Sequence, residues 1–247
     1  AKNGMNLILG YLNDDKTALK NKEILYKINP NIDVTLYKGD LSKNNTMNKL
    51  INIIESKLKN ENNQLYGVIH NAGLWAENTA SADFNDKQIY YDTIEYFIEL
   101  YGLTFLKLLE KCKKYMIRNN DKIYNGSFIF VSSPGCNINA IPDIDYLAPG
   151  SGKTLGELYV RMYAKAYAKY NINVNTIIPG IVETKPWNLI GGKPLIKHLL
   201  NTQIPMKRAG LPTEMGHLVH LLCSKNGVYI TGATIPIDGG QILGSKL

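Results

Sequence analysis

The chain has 247 residues, of which 45% are hydrophobic and 20% charged, and these values are ordinary for a soluble globular protein. No apolar run reaches the length of about 18 residues that a membrane span needs, and the first residues do not form a secretory leader. The three cysteines are widely spaced and form no CxxC pair, which argues against a bound metal and predicts a reducing, cytoplasmic location.

The formal net charge of +7 suggests nucleic-acid binding as a first hypothesis. However, lysines alternate with Asn and Glu along the predicted helices, and the small cluster at Lys111, Lys113 and Lys114 has no accompanying aromatic pattern. We therefore predict solvated lysine-rich faces, with no nucleic-acid partner and no membrane partner.

His217 and His220 are three residues apart on a predicted helix but share no obvious face with an acid or a cysteine, so no metal site is predicted.

Apolar runs alternate with helical patterns from one end of the chain to the other, which predicts a parallel β-sheet with helices on both faces. The predicted strands, in chain order, are Asn6–Leu9, Asp33–Tyr37, Tyr66–Ile69, Ser127–Val131, Asn173–Ile178 and Thr234–Ile237. The predicted helices are Asp15–Ile28, Lys43–Lys59, Asp86–Arg118 (broken near Gly102), Ser151–Tyr170, Leu195–Thr202 and Pro212–Cys223. We find no repeat or linker, so residues 1–247 are predicted to form a single α/β domain.

Three of these strands end in segments that could form a site. They lead into residues 70–73 (His-Asn-Ala-Gly), 132–133 (Ser-Ser) and 179–184 (Pro-Gly-Ile-Val-Glu-Thr). Turn chemistry alone explains any one of them, because Gly, Pro and Asn are common where strands end. In an open parallel sheet, however, the ligand crevice lies at the carboxyl ends of the strands, and three such exits predict a site there.

The most informative residues are Ser133, Tyr146 thirteen residues later and Lys153 seven residues after that. A hydroxyl, a phenol and an ammonium that converge beyond a strand end can move a proton to or from a substrate oxygen. A nearby cation favours the phenolate form of a tyrosine and lowers its pKa toward a working range. The alternative is that the three side chains never meet.

At this point the chain resembles the short-chain dehydrogenase/reductase family over almost its whole length. The motifs that carry the resemblance are Asn71-Ala72-Gly73, Ser133 with Tyr146 and Lys153, Asn173-Val174-Asn175, Pro179-Gly180, and the tail from Ile230-Thr231-Gly232 to Asp238-Gly239-Gly240. The resemblance implies a Rossmann-like, doubly wound parallel sheet in a three-layer αβα sandwich, with NAD or NADP as cofactor. It also implies a homodimer or homotetramer that acts on a small-molecule or thioester substrate.

The resemblance further implies roles for individual residues. Tyr146 would be the general acid or base, Lys153 would lower its pKa and bind the nicotinamide ribose, and Ser133 would hold the substrate oxygen. The implied cofactor-binding residues are Gly10, Asp40, Leu41, Asn71, Ala72, Gly73, Lys153, Pro179, Gly180, Ile181 and Thr184. Residues 183–208 would form a substrate lid.

The first strand exit departs from the family pattern. The family has a glycine-rich turn there, which lets backbone amides approach a pyrophosphate, whereas this chain keeps only Gly10, followed by Tyr11, Leu12 and the acidic pair Asp14 and Asp15. The short distance from Gly10 to Asp40 indicates a missing strand–helix unit and a shortened N-terminal half. We therefore predict a degenerate phosphate site with weak dinucleotide binding.

The spacing between the predicted catalytic Tyr146 and Lys153 also departs from the family pattern. The family's usual Tyr-x3-Lys is Tyr-x6-Lys here, which would place the groups roughly 10 Å apart on a continuous helix. We predict that the helix starts near Pro149, so that Tyr146 lies in the preceding loop and can fold back. The enoyl-thioester reductase branch of the family uses this wider spacing. Glu99 stands where the family's water-holding Asn aligns.

Two alternatives remain open. In another alignment Pro149 and Cys136 occupy the positions of the catalytic Tyr and Ser, and the site is inactive. In the second alternative, the chain is a degenerate family member that transfers protons without redox chemistry or binds a ligand or partner.

Tyr159, Tyr163 and Tyr167 recur at helical spacing and predict an aromatic stripe at a subunit interface.

Overall fold

The computed structural model describes residues 1–59, 63–73, 87–117, 123–136, 144–184 and 192–243. These residues divide into two compact units, 1–57 and 58–247. Their strands all pair in parallel, as predicted, in one two-stranded and one four-stranded sheet. The single-domain assignment stays a prediction.

The first unit is a strand–helix–strand–helix segment. It contains β1 (Leu7–Tyr11), α1 (Asp15–Ile28), β2 (Val34–Lys38) and α2 (Asn44–Lys57). Gly10 lies inside β1, opposite Tyr37 of β2, so the prediction that β1 ends at Leu9 and that Gly10 follows the strand is wrong. The apolar run stops at Leu9, but backbone pairing with β2 continues for two more residues.

The second unit contains the four-stranded sheet and the remaining helices. Its elements are β3 (Gly67–His70), α3 (Lys87–Phe97), a π-helical segment (Ile98–Leu103), α4 (Thr104–Cys112), β4 (Gly126–Val131), α5 (Leu147–Tyr167), β5 (Ile172–Pro179), α6 (Gly192–Gln203), α7 (Pro212–Leu222) and β6 (Thr234–Ile237). The strand order is β3–β4–β5–β6. The predicted break near Gly102 is the π-helical segment, which joins α3 and α4 in one continuous helical run.

Alternating side chains of β4 pack against helices on opposite faces of this sheet. On one face the Phe130 ring lies 4.9 Å from that of Phe105 in α4. On the other face Ile129 clusters with Leu222, the last residue of α7, and with the adjoining Cys223. Because successive side chains of a strand point to opposite faces, one buried strand is covered twice and the second unit has three layers.

Candidate active site

Ser133 and Tyr146 meet at the carboxyl end of β4. Ser133 follows the strand, and Tyr146 ends a short 3-10 turn immediately before α5. The Ser133 Oγ and Tyr146 Oη atoms are 2.7 Å apart, a hydrogen bond in which either can donate. α5 begins at Leu147, two residues before the predicted start, and Tyr146 lies outside the helix as predicted.

Burial controls the protonation of Tyr146. Desolvation raises the pKa of its phenol above the ordinary value, and the hydrogen bond to Ser133 offsets this only in part. The expectation that Lys153 brings the pKa of Tyr146 down into the working range is therefore not met in this structure, because the groups that act on this pKa besides burial are Ser133, Cys136 and Tyr101. At neutral pH the phenol keeps its proton and can donate it.

Lys153 lies in the second turn of α5 and is buried. Its Nζ atom is 4.9 Å from the centre of the Tyr101 ring, a cation–π contact. Desolvation lowers the pKa of Lys153 to about 8, while Cys136 and Glu157 oppose the shift. The ammonium is therefore mostly charged at neutral pH, but it loses its proton at a lower pH than an exposed lysine does.

The structure does not support the alternative alignment, in which Cys136 and Pro149 occupy the positions of the catalytic Ser and Tyr. Burial raises the pKa of the Cys136 thiol to about 11, so it is not a thiolate at neutral pH. Pro149 is buried in the first turn of α5 and has no group that can transfer a proton. The arrangement favours Ser133 with Tyr146.

One buried residue at this site, Glu157, was missed by the sequence analysis, and Ser132 was predicted only as part of a strand-end segment. The Ser132 hydroxyl donates a hydrogen bond to Glu157 Oε1, and both residues are buried. Glu157 is one helical turn after Lys153, a spacing that puts the two on one face of α5. The four-residue spacing of Lys153 and Glu157 is visible in the sequence. It indicates a possible charge pair only once both side chains are known to be buried.

His70 has a packing role. Its Nε2 atom lies 3.0 Å from the Leu100 carbonyl oxygen in the π-helical segment, and its ring stacks on Phe105. Burial lowers the pKa of His70 to about 4, so the imidazole is neutral. π-helical turns often occur at functional sites. Glu99 in the same segment forms an ion pair with Lys107 at 2.5 Å.

The predicted cofactor residues of the second unit lie at strand ends. Asn71, Ala72 and Gly73 follow β3, Pro179 ends β5, and Gly180, Ile181 and Thr184 come after it. A Cβ atom at Gly73 would lie 3.0 Å from Tyr101 Oη, and one at Gly180 would lie 2.7 Å from the Asp238 Cα atom. The lack of a side chain at Gly73 and Gly180 therefore lets Tyr101 and Asp238 pack closely against the backbone after β3 and β5. Of the predicted lid 183–208, residues 185–191 lie outside the described residues.

In the first unit, the residues after β1 serve local structure. Asp14 Oδ1 accepts a hydrogen bond from Thr17 N at 2.9 Å and caps α1, and Asp15 pairs with Lys38 at 2.7 Å. Asp40 and Leu41 follow β2, where Asp40 Oδ1 accepts from Ser42 N at 2.9 Å. The described geometry thus shows turn and cap roles for this predicted phosphate region.

The tyrosine stripe on α5 is only partly available to a partner. Tyr167 is buried and its hydroxyl donates to the Leu109 carbonyl oxygen at 3.1 Å, so the expectation of an exposed row is wrong for this residue. Tyr163 donates to Glu110 at 2.8 Å. The large exposed apolar side chains of α5 are Leu158 and Met162.

The described residues also bear on two other classes of function. Within them, no group of three or more His, Cys, Asp or Glu side chains could hold a metal ion. Within the same ranges, no helix is both long and apolar enough to cross a membrane.

Comparison with known proteins shows clear similarities. The family model described as enoyl-(acyl carrier protein) reductase matches residues 1–241. The 3-oxoacyl-[acyl-carrier-protein] reductase MabA of Mycobacterium tuberculosis is 31% identical over 119 residues, which are 48% of this chain and 46% of that protein. FabG of Chlamydia pneumoniae, also named a 3-oxoacyl-[acyl-carrier-protein] reductase, is 24% identical over 208 residues, 84% of this chain and 76% of that protein. The matched stretch thus spans less than half the length of MabA.

A solved structure shows the fold. YwfH, described as an NADPH-dependent reductase involved in bacilysin biosynthesis, superposes with a TM-score of 0.80 at 21% identity, covering 98% of this chain and 89% of that one. The similarity confirms the predicted Rossmann-like α/β fold class.

Proposed function

This chain belongs to the short-chain dehydrogenase/reductase family, and we propose that it reduces a carbonyl or enoyl group with NADH or NADPH through Ser133, Tyr146 and Lys153. The observation that carries the proposal is the hydrogen bond between Ser133 and a half-buried Tyr146 at the end of β4, 2.7 Å long. Lys153 is buried on the helix that follows. These are the groups that handling a proton at a substrate oxygen requires.

The protein's part in the reaction follows from these positions. Ser133 Oγ donates a hydrogen bond that holds the substrate oxygen, and Tyr146 Oη gives that oxygen its proton as negative charge develops there. Lys153 stabilises the phenolate that remains. Because burial keeps the Tyr146 phenol protonated, the site suits reduction. The nicotinamide, when bound, supplies the hydride.

The fit of a dinucleotide differs between its two ends. At the nicotinamide end, Tyr146, Lys153 and the close-packed Gly180 are suitable partners. After β1, the Asp14 carboxylate already occupies the cap of α1, and Asp15 adds a second carboxylate. Phosphates bind at helix N-termini through free amides, so this exit does not fit a pyrophosphate.

An acyl thioester is the substrate class that we test first. The family model is described as an enoyl-(acyl carrier protein) reductase, and the names of MabA and FabG describe reduction of a 3-oxoacyl group. The assay follows the loss of reduced-nicotinamide absorbance with acetoacetyl and crotonyl thioesters, each with NADH and NADPH. Turnover of either supports the proposal. No turnover of a wider panel of ketones, aldehydes and alcohols would contradict it.

A second candidate function keeps the fold but not the redox step. It is motivated by the acidic exit of β1, and in it Tyr146 and Ser133 transfer protons without a dinucleotide, or the chain binds a ligand or partner. Cofactor titration separates the two. No detectable binding at millimolar cofactor favours this second function.

We predict that dinucleotide binding is weaker than micromolar, because no glycine-rich turn follows β1 and two carboxylates do. Calorimetry with NADH and NADPH measures it. Replacing Asp14 by Asn keeps a capping side chain but removes one charge, so Asp14→Asn is expected to tighten binding if phosphates approach here. Glu23→Gln, which removes an equal charge farther along α1, is the matched control. Micromolar or tighter binding by the unmodified protein refutes the prediction.

We also propose a homodimer or homotetramer that uses the exposed face of α5. Leu158 and Met162 are 41% and 57% exposed there, and monomers rarely keep exposed apolar patches. Met162→Lys is expected to shift the protein toward monomer in sedimentation at micromolar concentration. Tyr229→Lys is the control, since Tyr229 is exposed outside α5. A stable monomer before mutation contradicts the proposal.

A further inference from the structure

Lys153 and Glu157 are the only lysine, arginine, aspartate or glutamate side chains that are buried among the residues that the structure describes, with 9% and 7% exposure. Burying an isolated charge is costly, so buried charges are normally paired. The two residues are four apart on α5, and side chains at this spacing lie next to each other on one face of a helix. The helix therefore buries an ammonium beside a carboxylate.

Glu157 is held from a second element. Ser132, which directly follows β4, donates its hydroxyl hydrogen bond to Glu157 Oε1 inside the core. The next residue, Ser133, is the one that bonds Tyr146. The end of β4 thus contacts the buried carboxylate through one serine and the proposed acid through the next.

Among the other described groups that face Lys153, only Cys136 could supply a counter-charge, and in its ionised form it would act on the Lys153 pKa more strongly than Glu157 does. The Tyr101 ring of the π-helical segment lies under its Nζ atom, Cys136 follows β4, and His70 ends β3. His70 is neutral because burial lowers its pKa to about 4, and Cys136 is protonated because burial raises its pKa to about 11. Glu157 is the carboxylate that acts on Lys153.

We propose that Glu157, held by Ser132, is a positioning residue that keeps the Lys153 ammonium charged. The proposal rests on the proposed function for its catalytic consequence, but the charge pair itself can be tested without turnover. Glu157 touches neither the substrate oxygen nor Tyr146 in this role. It acts through Lys153.

The first test is the pH profile of turnover. Without the Glu157 charge, the pKa of Lys153 should fall below its value of about 8, so the ammonium is lost nearer neutral pH. In Glu157→Gln, the alkaline limb of kcat should therefore move to lower pH by about one unit. Ser132→Ala keeps the carboxylate, so it should lower kcat with a smaller pH shift. Glu110→Gln, which removes an exposed carboxylate bonded to Tyr163, is the matched control and should leave the profile unchanged.

The second test is a double-mutant cycle that needs no activity. Melting temperatures at pH 7 are compared for the unmodified protein, Glu157→Gln, Lys153→Met and the double variant. If the charges are paired, each single variant leaves one buried charge uncompensated. The melting temperature of the double variant should then be about 4 °C higher than the value obtained by adding the two single-variant losses. If Glu157→Gln fails to fold, folding of the double variant still supports the pair, and its failure overturns it.

The outcomes of these tests distinguish the Lys153–Glu157 charge pair from the proposed reductase function. Additive melting temperatures overturn the charge pair, whatever the activity. A coupled cycle in a protein without turnover upholds the pair and rejects the proposed function. Turnover with an unchanged pH profile in Glu157→Gln rejects the catalytic role of the pair.

Discussion

We expect Tyr146→Phe to lose turnover by about 10²–10⁴-fold, the usual contribution of a positioned proton donor. The substitution removes only the hydroxyl, and the ring keeps its packing before α5. The partner Ser133 Oγ, 2.7 Å away in the unmodified protein, can still bind the substrate oxygen but cannot easily replace the proton source. The loss should appear in kcat more than in KM, because proton donation is a transition-state interaction.

The measurement uses whichever thioester or carbonyl compound the unmodified enzyme reduces. Tyr229→Phe is the matched control, because Tyr229 is fully exposed and far from the site in sequence. Circular dichroism and the melting temperature of both variants should match those of the unmodified protein. An unchanged rate in Tyr146→Phe would reject Tyr146 as the acid and return attention to the alignment through Pro149 and Cys136.

The largest expected effect on stability is that of Gly152→Ala. A Cβ atom at Gly152 would lie 2.1 Å from the Phe97 carbonyl oxygen, so α5 touches the end of α3 backbone to backbone. Backbone atoms cannot rotate away as a side chain can, and the helices must separate. We expect a loss of about 3 kcal/mol in the free energy of unfolding, at the upper end for overpacking.

Urea unfolding measures this loss, and a second glycine supplies the control. Gly216 lies within α7, and a Cβ atom there would meet nothing within 4 Å. Gly216→Ala should raise the free energy of unfolding by about 0.5–1 kcal/mol, because alanine is the better helix former. Equal effects at the two positions would contradict the close approach of α5 to α3. Since α5 carries Lys153, Gly152→Ala should also lower activity.

The sequence alone predicted the six described strands, apart from their exact ends, as well as their parallel direction and the candidate site residues. Apolar runs of strand length between helical patterns require a parallel sheet, and polar residues after those runs must lie at its carboxyl edge. The sequence left open whether Ser133 and Tyr146 meet, and the hydrogen bond between them shows that they do. The proline and glycine before Lys153 also indicated that Tyr146 precedes the helix. The family resemblance, which the whole-chain match confirms, added the roles.

The tertiary structure decided what depends on pairing and burial. Gly10 looked like the start of a phosphate turn, but it is paired with Tyr37 inside β1. Tyr167 looked like surface and is core, because α4 covers it. Lys153 and Glu157 are four residues apart in any reading of the sequence, but only the structure shows that both side chains are buried. Desolvation has no signature in the order of residues, and it sets the pKa values of Tyr146 and Lys153, on which the chemistry of the site depends.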